Sequence, residues 1–301
     1  MPTIWRSLLF VPANNPKFIA KAHTRNADGI ILDLEDSLPD RELESARVGL
    51  RMAVASVARG GADVLVRINN PDHLCMDDIQ AAVIEGVTAI MLPKARNAMH
   101  VQSVSEAIGK REHANGMRAG SIRLVPMIET AAAYFQSLEI GAADPRNIAM
   151  NLGGEDFSSD VGMIPRADTL AMPKQQVVIA ARAAGLIPLG LMGTVANFQD
   201  LNGIRLAAEV SRRFGIEGAS CVHPSNVPIL NAAFSPNPDE IDYAERVVAV
   251  YADATAKGSG AISVDGKMID VPVVRRAELL LARWAAIKAR HQEDEERGRP
   301  N

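Results

Sequence analysis

Short apolar runs of strand length recur along the chain, separated by longer stretches with helical periodicity. This alternation is expected of βα units that build a parallel sheet. The runs are Ser7 to Pro12, Gly29 to Glu35, Asp63 to Asn69, Thr88 to Lys94, Ile122 to Glu129, Asn147 to Phe157, Ile187 to Gly193 and Gly218 to Pro224. Eight of them predict an α/β fold, a closed TIM-type (β/α)8 barrel. Between them the pattern predicts helices over Arg41 to Arg59, Pro173 to Ala184 and Leu201 to Phe214, stopped by Gly60, Gly185 and Gly215. An open doubly wound sheet is the competing topology, but no G-x-G-x-x-G or G-x-x-x-x-G-K-[ST] turn follows any run.

The alternation ends at Ser235-Pro236-Asn237-Pro238, a proline-rich break. Beyond it the sequence predicts a helix from about Asp239 to Lys257, a glycine-punctuated segment Gly258-Ser259-Gly260, a short strand pair around Ile262 to Val271, and a helix from Val273 to about Ala289. The charged residues from Gln292 to Asn301 are expected to fray. Two domains are therefore expected: a catalytic barrel over residues 1–234 and a separate C-terminal module over 235–301. No solenoid-type repeat is present.

Composition narrows the function classes. The 301 residues are 48% hydrophobic and 23% charged, with a formal net charge of −4, and no apolar run reaches the roughly 18 residues of a membrane span. The basic residues are dispersed among acidic ones, which argues against a nucleic-acid footprint. The first residues enter a strand pattern without the features of a signal peptide, so a cytoplasmic location is expected. Cys75 and Cys221 form no C-x-x-C pair, and both are expected to be buried small hydrophobes.

In a parallel barrel the reactive groups belong at the carboxyl ends of the strands. Scanning those ends collects Asp33, Glu35 and Asp36, then Arg67 and Asn69, Lys94, Glu129, Glu155 and Asp156. One rim would thus gather six carboxylates against the cations Arg67 and Lys94. So many anions are costly to desolvate without a positive partner. Oxygen donors with no clustered His or Cys point to Mg²⁺, for which Glu129 and Asp156, expected at the ends of neighbouring strands, suit best. Any one of these acids alone could instead cap a helix or pair with a base. Arg67, in the apolar strand Val64-Leu65-Val66-Arg67-Ile68, either pairs with Glu35 or clamps an anionic ligand. His223, at a strand end, reads as a positioning residue. His23, His73, His100, His113 and His291 show no ligand spacing and are expected at the surface. No G-x-S-x-G supports a hydrolase triad.

Seven motifs, in order, carry a resemblance: Arg6-Ser7-Leu8-Leu9-Phe10-Val11-Pro12, Leu32 to Ser37, Val66 to Asn69, Met91-Leu92-Pro93-Lys94, Met127-Ile128-Glu129-Thr130, Gly153-Gly154-Glu155-Asp156-Phe157 and Val222-His223-Pro224-Ser225. From about Arg6 to Trp284 the chain resembles the citrate lyase β subunit-like (HpcH/HpaI aldolase/citrate lyase) family, with its malyl-CoA and citramalyl-CoA lyases. The resemblance implies a Mg²⁺-dependent barrel whose C-terminal segment is a helical lid completing the active site of a neighbouring subunit, in a homotrimer or hexamer. It assigns Glu129 and Asp156 to the metal, and Arg67, with Glu129, Asp33 and Glu35, to the substrate. It makes Asp270 the acid/base, and it places Phe10, Lys21, Glu155 and His223 around the coenzyme A moiety. Ala13 stands where the family usually has glycine, a basic residue common near Asn15 is missing, and Met192 and Asn197 replace common acids.

The implied reaction joins or splits a carbon–carbon bond between an acyl-CoA and a 2-oxo acid such as pyruvate, glyoxylate or oxaloacetate. Its substrate would be a malyl-, citramalyl- or citryl-type thioester. Two alternatives share the site: thioester hydrolysis, as in a malyl-CoA thioesterase or malate synthase, and action within a citrate lyase complex on an acyl carrier protein.

Overall fold

The computed structural model describes residues 3–70, 72–193, 197–257 and 262–296. Its strands β1 (Ser7–Pro12), β2 (Gly29–Asp33), β3 (Asp63–Arg67), β4 (Ala89–Leu92), β5 (Arg123–Ile128), β6 (Ala149–Leu152), β7 (Ile187–Leu189) and β8 (Ala219–Cys221) coincide with the eight apolar runs. Between them run α1 (Pro16–Ala22), α2 (Asp40–Val57), α3 (Asp72–Ala82), α4 (Ala98–Ala114), α5 (Ala131–Tyr134), α6 (Ser137–Gly141), α7 (Gly154–Val161), α8 (Ala167–Ala183), α9 (Leu201–Arg213) and, after β8, α10 (Val227–Ala233).

All eight strands are parallel, in the order β7-β6-β5-β4-β3-β2-β1-β8. Between β7 and β8 a Leu189–Gly218 bridge draws the ring nearly shut, with the Gly190 N–H donating to the Gly218 carbonyl at 2.8 Å. Gly218 permits this approach, since a Cβ there would overlap the Trp5 carbonyl. The result is a TIM-type barrel.

Strict alternation along the strands fills two layers. Leu8, Ile31, Leu65, Met91, Val125, Met127, Ala149 and Leu189 pack with Trp5 inside the ring. Their neighbours Ile30, Leu32, Val64, Val66, Ile90, Leu92 and Met150 face the helices. Burial on both faces explains why the strands read as continuous apolar runs.

Several boundaries differ from the sequence expectation. The predicted sixth strand, Asn147 to Phe157, pairs over Ala149–Leu152, and Gly153 then serves as the N-cap of α7. Glu155 and Asp156 consequently lie in the first turn of a helix and not at a strand end. Helix α8 begins at Ala167, so Pro173 is an interior residue and not the helix start; the Thr169 hydroxyl, accepting the Arg166 backbone N–H at 3.1 Å, fixes the earlier beginning. After α2 it is Gly61, not Gly60, that takes the left-handed conformation (φ 79°), whereas Gly60 gives room to the His23 carbonyl. His100 is buried, not at the surface, and its Nδ1 accepts the Arg96 N–H at 3.2 Å. Cys75 and Cys221 are buried free thiols, as expected.

The described residues divide into two compact units, one from Trp5 to Phe234 and one from Ser235 to Glu296 that also includes Thr3 and Ile4. In the second unit, α11 (Pro238–Ala256) starts with a capping box between Asn237 and Glu240. A hairpin of β9 (Ser263–Val264) and β10 (Lys267–Met268) turns at Asp265-Gly266, both with positive φ, as a tight two-residue turn requires. Helix α12 (Val271–Glu296) outlasts its expected end near Ala289, so residues 292–296 are helical where fraying was expected. Gly258-Ser259-Gly260 and residues 297–301 lie outside the described residues. Val247, Val264, Ile269, Val274 and Ala277 form this unit's core.

Candidate active site

A cleft of about 820 Å³ opens at the carboxyl ends of the barrel strands. Phe10, Lys21, Asp33, Asp36, Arg67, Glu129, Glu155, Asp156 and His223 all line it, so nine of the residues singled out in the sequence converge on one cavity. Glu35 joins them through its ion pairs. Asp270 belongs to the C-terminal unit, where it is exposed and its Oδ1 accepts the Val273 N–H at 3.2 Å, capping α12.

Register explains the first half of the site. Asp33 and Arg67 are Cα partners at the ends of β2 and β3, side by side on the inner face. The Arg67 guanidinium grips Asp33 with two bonds, Nε to Oδ1 at 2.7 Å and a terminal nitrogen to Oδ2 at 2.8 Å. The other terminal nitrogen donates to Asp36 Oδ2 at 2.9 Å and lies 3.0 Å from Glu35 Oε2. Phe10 lies under the same group, its ring centre 4.8 Å from the guanidinium carbon. Burial opposes charge on Arg67 and on Asp33 alike. Their mutual bonding outweighs it, so the Arg67 pKa is raised and the Asp33 pKa lowered. Arg67 thus holds three carboxylates, with Asp33, a partner not foreseen in the sequence, the best bonded.

The second half lacks that balance. Glu129, just past β5, is 3% exposed. Its Oε2 accepts the Lys94 backbone N–H at 2.6 Å. Lys94 has φ 47°, an uncommon conformation for a residue with a Cβ. Gly153 packs against the other side of this carboxylate: a Cβ there would overlap Oε1 and stand 2.7 Å from Cγ. Burial, followed by the nearby charges of Glu35 and Asp156, pushes the Glu129 pKa up to about 7 despite the Lys94 bond. Asp156 is 3.5 Å from Lys94 Nζ, which also donates to Glu35 Oε1 at 2.9 Å. Burial raises the Glu35 pKa, with Arg67 and Lys94 offsetting it in part. Lys94 is itself held well above its ordinary value: burial works against its charge, but Glu35, Asp156 and Glu129 outweigh it.

Lys174 is a participant not singled out in the sequence. It is 6% exposed, on the buried face of α8, and Nζ donates to the Leu191 and Gly193 carbonyls at 2.5 and 2.8 Å. Burial lowers its pKa to about 8, with Glu155 opposing. The signal was present, because Leu170, Lys174, Val177 and Ala181 form one buried helical stripe. His223 is an N-cap: Nδ1 accepts the Ser225 N–H at 3.3 Å, and the ring stacks on Phe198 with centroids 5.3 Å apart. Lys21 is exposed in the last turn of α1.

Among the described residues, no group of three or more His, Cys, Asp or Glu side chains is gathered as a metal centre. A centre here would take two carboxylates at most, the donor number typical of a cation that keeps water and ligand oxygens.

Fold and cleft define a TIM-type barrel with an anion-rich mouth. The chain belongs to the HpcH/HpaI aldolase/citrate lyase family, whose model matches residues 6–224. This is a family of enzymes. Citrate lyase subunit beta of Leuconostoc mesenteroides subsp. cremoris is 33% identical over 279 residues, 92% of each chain. The (3S)-malyl-CoA thioesterase of Cereibacter sphaeroides (strain ATCC 17029 / ATH 2.4.9) is 33% identical over 288 residues, 95% of this chain and 96% of that one. Among solved structures, protein CitE from Mycobacterium tuberculosis, in complex with magnesium, acetoacetate and coenzyme A, superposes with a TM-score of 0.73. It is 29% identical, covering 93% of this chain and 97% of CitE. No helix among the described residues is long and apolar enough to cross a membrane.

Proposed function

We propose that this chain is a Mg²⁺-dependent carbon–carbon lyase that splits or forms a malyl-, citramalyl- or citryl-type CoA thioester. The observation that carries the reading is the Glu129 carboxylate, buried among like charges with its pKa up at about 7. Lys94 offsets this charge only in part, so a further cation would stabilise the ionised carboxylate. Glu129 and Asp156 offer oxygen donors alone, which fits Mg²⁺, and the CitE complex with magnesium supports the choice. Bound there, Mg²⁺ would supply Lewis acidity to the oxygens of a small 2-oxo acid.

The chain's own residues do the rest. In the cleavage direction the substrate hydroxyl loses its proton as its carbon–oxygen double bond forms. The adjacent carbon–carbon bond breaks, and its electron pair passes to the carbon beside the thioester, which then takes up a proton. Asp270 is the proposed proton carrier, acting from a C-terminal lid that excludes water in a trimeric or hexameric assembly. Arg67, fixed in place by Asp33, Glu35 and Asp36, would turn the remaining N–H of its guanidinium toward charge developing on the acyl oxygen. Phe10 and Lys21, with Glu155 and His223, line the part of the cleft assigned to coenzyme A.

The test is a screen of the purified protein with Mg²⁺ against malyl-CoA, citramalyl-CoA and citryl-CoA, with chelator controls and identification of products. Acyl-CoA together with a 2-oxo acid is the expected outcome. Undiminished turnover in chelator would overturn the reading. The likeness to a malyl-CoA thioesterase favours a second outcome, hydrolysis, which would release free CoA thiol with the free acid. Inactivity on free CoA esters, coupled with activity on an acyl carrier protein thioester, would place the chain in a citrate lyase complex, as the likeness to beta subunits suggests.

A further inference from the structure

The inner face of β6 carries one residue out of keeping with the barrel interior. Alternation turns Met150 and Leu152 outward to the helix layer and Ala149 inward, so Asn151 points into the ring. Its register partners are Met127 on β5 and Leu189 on β7, both members of the apolar interior. Asn151 is 9% exposed and lines the cleft. Its Oδ1 is buried without a hydrogen-bond partner, and among the described residues its carboxamide makes no hydrogen bond. Other buried amides are anchored through their donors, even where, as in Asn147, Oδ1 also lacks a partner: Asn147 donates to the Ile140 and Gly141 carbonyls, and Asn226 to the Phe198 carbonyl. A buried amide with no partner destabilises a fold, whereas leucine of similar size would not. The placement makes sense if the partner arrives from the cleft.

Depth along the barrel says which part of a ligand would arrive. Glu129 is two residues beyond Met127, the register partner of Asn151, so the amide lies about one strand repeat, roughly 7 Å, below the Glu129 carboxylate. Since Glu129, Asp156, Met127 and Asn151 line one cavity, a small acid bound at the mouth would reach the floor with its far substituent. There Met127 offers apolar contact, and Asn151 a polar one.

We propose that Asn151 is a specificity-determining residue: its Oδ1 accepts from a hydroxyl, or its Nδ2 donates to a carboxylate, at the far end of the 2-oxo acid, which selects against a methyl terminus. The inference rests on the proposed binding of a 2-oxo acid at this mouth. It predicts that oxaloacetate or hydroxypyruvate is preferred to pyruvate by about tenfold or more, the worth of one hydrogen bond to a charged or polar group in a dry site.

The experiment is calorimetric titration of the full chain with oxaloacetate, hydroxypyruvate and pyruvate in the presence of Mg²⁺, for the wild type, Asn151→Leu and Asn151→Ala. The wild type should show the preference, with oxaloacetate or hydroxypyruvate taking it according to whether a carboxylate or a hydroxyl is read. Both variants should bring the ratio close to one, and Asn151→Leu should melt no lower than the wild type. Equal or tighter binding of pyruvate by the wild type, or a preference that survives both substitutions, overturns the inference while leaving the proposed function standing. If the wild type binds none of the three acids with Mg²⁺, the proposed function fails and takes this inference with it.

Discussion

Glu129→Gln should stabilise the metal-free protein at alkaline pH and leave it nearly unchanged at acid pH. The substitution keeps the shape, and an amide oxygen can still accept the Lys94 N–H, now at 2.6 Å from Oε2. What it removes is the charge. Burial, with Glu35 and Asp156 nearby, raises this carboxyl from 4.5 to about 7, a difference worth about 3 kcal/mol against the ionised form. The sign follows from proton counting. Between 4.5 and 7 the folded protein holds a proton on Glu129 that the unfolded chain has released, so stability falls as pH rises through this window and stays lower above it. Glutamine has no such dependence. Near pH 4.5 the variant and the wild type should unfold at similar denaturant concentrations. By pH 8.5 the variant should be the more stable, by up to about 3 kcal/mol, less whatever water entry and relaxation recover.

The assay is urea unfolding in chelator at several pH values, followed by the same series with Mg²⁺. Added Mg²⁺ should raise the wild-type midpoint above pH 7 and leave Glu129→Gln where it was, because a ligand stabilises only the fold that binds it. Below pH 7, binding to the wild type should also release a proton. Parallel pH profiles for the two proteins in chelator would refute the electrostatic account of this site.

Three further outcomes are expected. Gly153→Ala places a methyl group where the Glu129 carboxylate now lies; Mg²⁺ affinity measured by calorimetry should fall at least about tenfold, and stability by about 1–3 kcal/mol. Lys174→Met leaves the Leu191 and Gly193 carbonyls without their donor and should cost about 1–3 kcal/mol. Because burial lowers the Lys174 pKa from 10.5 to about 8, the wild type alone should gain stability between those pH values, a difference that unfolding midpoints at pH 8 and 10.5 will show. Asp270→Asn retains a capping side chain at the start of α12; turnover should drop by orders of magnitude with Mg²⁺ affinity intact, and unchanged turnover would remove Asp270 from the mechanism.

The barrel was legible in the sequence because its strands are buried on both faces, so each announces itself as an apolar run. Strand ends were less legible. Leu34 and Ile68 continue the apolar pattern past Asp33 and Arg67 but are buried in the layer beneath the helices, outside the ladder. The acidic pair Glu155 and Asp156 looked like a strand end because Gly153-Gly154 does not interrupt a pattern based on hydrophobicity, although it does end the ladder. Chain order also hid the main partner of Arg67. Asp33 becomes that partner through the β2–β3 register, and register is decided by pairing, not by local sequence. Asn151 and Lys174 were readable in principle, each a polar residue on an apolar repeat.

The division of charge between the two halves of the mouth decides where a cation can act. Arg67 is largely committed: most of its donors face Asp33, Asp36 and the neighbourhood of Glu35. Lys94 is shared among Glu35, Asp156 and, through its backbone, Glu129. The anionic excess therefore falls on the β5–β6 side, not evenly around the rim. An anionic substrate approaching that side meets repulsion from Glu129 and Asp156, and the charge of the nearby positive groups is already balanced by Asp33, Glu35 and Asp36. A divalent ion reverses the sign of the field at that one place, so the same two carboxylates that would repel a 2-oxo acid become the reason it binds. On this argument substrate affinity and metal affinity are a single linked quantity. A 2-oxo acid should bind weakly in chelator, and each ligand should tighten the other by the same factor when titrated in either order.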